Sequence, residues 1–206
     1  INVPPPTRIA IGTVTVNTTV SLGTGTITFG AFTGTLDFAA NDNNVTCASV
    51  SGTGTGTRTL SMGDGTWTMT AATGTPWNFL TTTNLTLNAN GSTLLLSATA
   101  TNARTISTGG TTLNNVTVTN ATRDGFSIRF DTACTVAGNL TLTNVGQVRM
   151  DAGLTVSGTM TYDGTAANPA IILSVATAMT LTVANATILN YLVLQGITKA
   201  GAGSIT

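Results

Sequence analysis

Acid–base chemistry in this chain has only seven carboxylates to draw on, all aspartate: Asp37, Asp42, Asp64, Asp124, Asp131, Asp151 and Asp163. Histidine and glutamate are absent. General acid–base catalysis needs a positioned group that titrates near the working pH. Without imidazole, what remains is paired carboxylates on one groove, the arrangement of a β-helical glycosidase or lyase. Asp124, Asp131, Asp151 and Asp163 form the best candidate group. Asp64, Asp124 and Asp163 stand directly before glycine, which is turn composition. The serines have no histidine partner, so a Ser/His/Asp triad cannot be built. Gly52-Thr53-Gly54-Thr55-Gly56 looks like a phosphate loop but lacks its lysine and following helix, and reads as a plain loop.

One local echo carries charge. Ile128-Arg129-Phe130-Asp131 recurs as Val148-Arg149-Met150-Asp151. Stacked in register, Arg129 would lie over Arg149 and Asp131 over Asp151 on an outer face. That is a solvated ladder or, on a sharper reading, a site for an anionic sugar. Cys47 and Cys134 lack metal-type spacing and sit in apolar-Thr contexts, so they read as small buried hydrophobes with no disulfide between them. Asn-x-Ser/Thr sequons, among them Asn44, Asn84, Asn115 and Asn139, are expected in so Ser/Thr-rich a chain and carry little weight. Thr-x-Thr pairs at Thr66/Thr68, Thr117/Thr119, Thr141/Thr143 and Thr180/Thr182 have the form of an ice-ordering face. Unequal coil lengths argue against their alignment. The residue inventory therefore supports no catalytic residue, no cofactor and no required metal.

Composition narrows the rest. With 7% charged residues and zero net charge, the chain has no basic stripe to offer a phosphate backbone, so nucleic acid is excluded as a partner. Hydrophobic content of 41% is enough for a sizeable core. The most apolar stretch, Ile188 to Ile197, is far shorter than the roughly 20 residues of a bilayer span, so no membrane span is expected. The start at Ile1 and the Gly/Ala/Ser-rich end read as cuts, of a processed product or a longer polypeptide.

The elements that must position these residues are legible in apolar-Thr-apolar units, such as Val14-Thr15-Val16, Trp67-Thr68-Met69 and Leu140-Thr141-Leu142. Period-two alternation is a strand signal, and the branched Cβ of threonine suits a pleated surface. Units recur every few residues, and equivalent ones return after a period in the low twenties: Leu36 to Leu60 to Leu85, Val116 to Leu140, and Met160 to Leu181. The step from Leu85 to Val116 is longer. The reading is an all-β parallel β-solenoid of about eight coils with three short strands per coil, roughly 40 Å tall at ~4.8 Å per coil. The alternative is an antiparallel β-sandwich, for which Asp64-Gly65, Asn90-Gly91, Asp124-Gly125 and Asp163-Gly164 would head hairpins.

Residues 1–35 read as an N-terminal arm or cap, with Pro4-Pro5-Pro6 as a stiff lead-in, and residues 36–206 as the solenoid. The Pro4–Pro6 lead-in and Ile9 to Leu22 are the candidates for an arm exchanged with a neighbour. The expected interior is Leu36, Phe38, Leu60, Met62, Trp67, Met69, Trp77, Phe79, Leu85, Leu87, Val116, Val118, Ile128, Phe130, Leu140, Leu142, Val148, Met150, Leu154 and Val156, with the intervening threonines outside.

Gly63-Asp64-Gly65-Thr66-Trp67-Thr68-Met69-Thr70, Gly74-Thr75-Pro76-Trp77-Asn78, Leu85-Thr86-Leu87-Asn88 and the run from Thr111 to Val118 resemble the Thr/Gly-rich β-helical repeats of tailed-phage virion proteins and their environmental relatives. The similarity covers roughly residues 34–200 and transfers no catalytic residue. It implies a structural role at a virion surface, as tail fibre, spike shaft or capsid decoration, acting by assembly and adhesion outside the cell. Partners would be other virion or filament subunits, copies of the same chain among them, with a host-surface glycan as a further candidate. A cell-surface filament or surface-layer adhesin and an ice-binding solenoid are the alternatives.

Overall fold

A computed structural model of the chain describes residues 11–29, 32–99, 102–119, 126–166, 168–174, 178–184 and 188–202. The Pro4–Pro6 lead-in and Asp124-Gly125 lie outside them. Among the described residues there are twenty-five short strands and no helix. Coil one holds β1 (Ile11–Thr15), β2 (Val20–Ser21) and β3 (Thr26–Thr28). Coil two holds β4 (Thr33–Asp37), β5 (Val45–Cys47) and β6 (Ser49–Ser51). Coil three holds β7 (Arg58–Ser61), β8 (Thr66–Met69) and β9 (Gly74–Asn78). Coil four holds β10 (Leu85–Asn88), β11 (Thr93–Leu96) and β12 (Arg104–Ser107). Coil five holds β13 (Thr112–Leu113), β14 (Asn115–Thr119) and β15 (Phe126–Phe130). Coil six holds β16 (Cys134–Val136), β17 (Leu140–Thr143) and β18 (Gln147–Met150). Coil seven holds β19 (Leu154–Val156), β20 (Met160–Asp163) and β21 (Ala170–Leu173). Coil eight holds β22 (Met179–Val183), β23 (Ile188–Asn190) and β24 (Leu192–Gln195), and β25 (Ile197–Ala200) begins the next.

Strands pair every third in sequence, and each described pairing is parallel. The fold is a parallel β-solenoid, and the antiparallel sandwich is excluded. The front face is the eight-stranded sheet from β2 to β23, and the back face the eight-stranded sheet from β3 to β24. The third side is split. A lower sheet runs β1-β4-β7-β10 and an upper one β13-β16-β19-β22-β25. Residues 79–92 connect back to front below the split, but only residues 108–114 do so above it, so the coils narrow there. Strands β1, β2 and β3, the described part of residues 1–35, form the first coil and pair with β4, β5 and β6.

Register corrects the alignment read from the sequence. Leu60 stacks on Leu87, whereas Leu85 stacks on Arg58. Leu181 stacks on Leu154, and Met160 on Leu140. The long step from Leu85 to Val116 is a change of face, from β10 on the side to β14 on the front. Asp64-Gly65 and Asn90-Gly91 turn corners into the next parallel strand and do not head hairpins. Gly65 is required there because a Cβ would meet the Asn43 carbonyl of the coil below.

The interior is apolar, and each fully buried aliphatic side chain contributes about 1.5–3 kcal/mol. Of the expected core, all are buried except Leu36, Leu85 and Leu87, which pack half-buried against it. Leu85 and Leu87 are half-buried because β10 ends its sheet, with no ladder strand above it. Leu36 lies one coil from the lower end, over half-buried Val14. The lower coils hold an aromatic cluster in which Phe38 packs on Trp67, Trp67 on Trp77, and Trp77 on Phe79. Coils five to seven carry mostly Val, Leu, Ile and Met inside.

Candidate functional site

The charged echo comes together on the outside of the back face. Arg129 and Arg149 are register partners on β15 and β18. Strict alternation points both outward, because Ile128, Phe130, Val148 and Met150 take the inward positions. Like charges stacked directly would repel. Asp151 relieves this by accepting from both. Arg149 Nε reaches Oδ1 at 2.6 Å, while Arg129 Nε and Nη2 reach Oδ2 at 2.6 and 2.5 Å. Partial burial pushes the Asp151 carboxyl up, but bonds and charge from Arg149 and Arg129 outweigh it and hold the group below the ordinary aspartate value. A carboxylate gripped at both oxygens is a poor proton acceptor. With Arg129 40% exposed, this is a surface network tying coil five to coil six.

Asp131 stands apart from the arginine grip. Its Oδ2 accepts from Ser107 Oγ at 2.7 Å, and its Oδ1 is buried without a partner. Asp37, Asp42 and Asp64 serve the backbone. Asp37 accepts from Ala39 N, Asp42 Oδ1 from Asp64 N, and Asp64 Oδ1 from Gly91 N. Asp163 is exposed on β20, and Asp124 lies outside the described residues. Of the candidate acids Asp124, Asp131, Asp151 and Asp163, the structure therefore brings only Asp131 and Asp151 to neighbouring coils of one face. Cys47 and Cys134 are free and buried on different faces, and burial pushes their thiols up to about 11 and about 12. Gly52 closes a corner under Phe79, whose ring a Cβ would strike, and its carbonyl accepts from Arg58.

Comparison of the chain with family models, curated proteins and solved structures returned no match. The residues must speak for themselves, and several that matter were not singled out from the sequence. Arg58 and Arg104 are fully buried cations. Arg58 donates to four backbone carbonyls, those of Gly52, Gly56, Thr81 and Thr83, on two successive corners. Arg104 donates likewise to Ala98 and Thr119. Burial lowers both guanidinium pKa values, Arg104 to about 10, which leaves Arg104 charged at neutral pH. The signal was parity, since each begins a strand at the same alternation as the buried Leu60 or Ile106. A second missed set is the amide ladder at the front-face corner. Asn44 Oδ1 accepts from Thr66 N, Asn115 Oδ1 from Asn139 N, and Asn139 Oδ1 from Thr159 N. Three of the sequon asparagines are thus coil-to-coil braces.

The Thr-x-Thr pairs divide between faces. Thr66/Thr68, Thr117/Thr119 and Thr141/Thr143 lie on the front, while Thr180/Thr182 lie on the upper side sheet. On the front, Thr46, Thr68, Leu95, Thr117, Thr141 and Thr161 form one vertical file in register. Thr119 and Thr143 form a second beside it. On this face coil length varies from 20 residues, Asn139 to Thr159, to 27, Asp64 to Gly91, yet the files stay aligned. The corners absorb the difference.

Proposed function

We infer that the chain is a structural component of an extracellular particle: a virion surface protein of the tail-fibre, spike-shaft or capsid-decoration type, acting by assembly and adhesion. The observation that supports this reading is the continuous parallel ladder of eight strands on each of the front and back faces. Such a stack commits most of its backbone to ladders, leaving few extended segments for a protease to open. On the front face the length changes fall in the corners, which lets the shaft keep its line. At each described end the strands have one ladder neighbour only, and these edges are where further coils or other subunits join. Partners in this reading are virion subunits, copies of this chain among them, and a host-surface glycan is the ligand class for adhesion. The resemblance of the Thr/Gly-rich repeats to tailed-phage proteins directs it to a virion.

A serum raised against the rod tests the placement. It should label density-purified virus particles from the source material and leave cell envelopes unlabelled. Label on envelopes with bare particles would replace the virion by a cell-surface filament.

A further inference from the structure

We propose that the front face of coils five to seven is a binding surface for ice, with Thr117, Thr119, Thr141, Thr143 and Thr161 as its contact residues. This stands independently of the virion reading. Thr117, Thr141 and Thr161 are successive register partners, and so are Thr119 and Thr143. Parallel strands stack at ~4.8 Å and advance ~3.3 Å per residue, so outward side chains two apart stand ~6.6 Å from each other. The five residues therefore form a two-dimensional array of hydroxyls and methyls, on the scale at which oxygen atoms repeat on ice surfaces. Threonine is stiff at χ1, so the array is largely ordered before it meets anything. Immobilising first-shell water costs up to ~2 kcal/mol per molecule, and a preordered surface reduces that cost where the bound water already belongs to a crystal.

Two further observations separate this face from the back face. The hydroxyls of Thr117, Thr119, Thr141, Thr143 and Thr161 make no hydrogen bond to protein among the described residues, and so are left to solvent. On the back face, by contrast, Thr26 bonds Ser49 and Ser107 bonds Asp131. The array is also uncharged, whereas the back face carries Arg129, Arg149, Asp131 and Asp151, whose hydration would disrupt an ordered layer. Its limits are set by Leu95 below, which interrupts the threonine file, and by Asp163 at the top of β20. Thr180 and Thr182, on another face, are outside it.

The test is partition of the intact chain into slowly growing ice beside a dye-labelled inert protein, with melting curves confirming that each variant is folded. The wild type should concentrate in the ice, Thr117→Lys and Thr141→Lys should fall to the inert level, and Thr155→Lys on the upper side sheet should behave as wild type. Exclusion of the wild type from ice overturns the proposal. So does undiminished partition of both front-face variants, or adsorption to crystalline cellulose or chitin without adsorption to ice.

Discussion

Arg58 and Thr81 are joined across two coils: the buried Nη2 of Arg58 donates to the Thr81 carbonyl at 2.9 Å, 23 residues further along the chain. The same guanidinium takes three more carbonyls and faces no carboxylate among its bonded partners. Arg58→Met removes the cation but strands four acceptors, and should lower the unfolding free energy by about 3–5 kcal/mol. Arg58→Lys, a point donor without the planar fork, should recover less than half. Chemical denaturation measures both. A loss under about 1 kcal/mol for the methionine variant would mean that water replaces the guanidinium.

Asn139 is the middle member of the amide ladder. Asn139→Ala leaves the Thr159 N–H without its acceptor and should cost about 1 kcal/mol, or about 2–4 °C in melting temperature for a chain of this size. Asn139→Asp keeps an oxygen in place and should stay nearer the wild type. Equal melting of all three proteins would remove the ladder from the list of braces.

Asp151 gives the rod a pH-dependent contact. Its folded pKa lies below the unfolded value near ~3.9, so on acidification the unfolded chain takes up the proton first. The stability it contributes is therefore complete above about pH 5 and drains away as pH falls through ~4 and below. Asp151→Asn should cost about 0.5–1 kcal/mol at neutral pH and progressively less as pH falls below the ordinary aspartate value. A constant difference between the two proteins across that range would contradict the ion-pair account.

Burial makes both thiols inert. Ellman's reagent should leave Cys47 and Cys134 unmodified in the native rod and titrate both in guanidinium, because the thiolate is the reactive species and its formation is suppressed. Rapid reaction of either in the native protein would show that its coil opens.

The fold was readable because alternation is local: Val116-Thr117-Val118 states its own inner and outer sides, and three such units close a coil. Parity also held the two buried arginines in view. Arg58-Thr59-Leu60 puts Arg58 on the side of Leu60, but a cation at an inward position contradicts composition rules until its carbonyls are visible. Leu85 and Leu87 followed the alternation and are only half-buried, since the sequence of β10 does not reveal that the strand above it shifts to a new sheet. The Arg129 and Arg149 stacking was legible as an echo in the sequence. Their shared grip on Asp151, which leaves Asp131 to Ser107, depends on side-chain reach. Threonine alignment was misjudged from unequal coil lengths, because spacing counts corner residues that the faces never see.

The shift of the third side at β10 also gives the rod a mechanical direction. Coils five to seven are filled mostly by aliphatic side chains, with Phe130 and Tyr162 among them, whereas the coils below are locked by interleaved rings. Tension that peels the chain from its upper end strips the aliphatic coils at low load and then stalls against the aromatic block. Stretching would register two plateaus of force, and a shaft torn at its tip would keep its base.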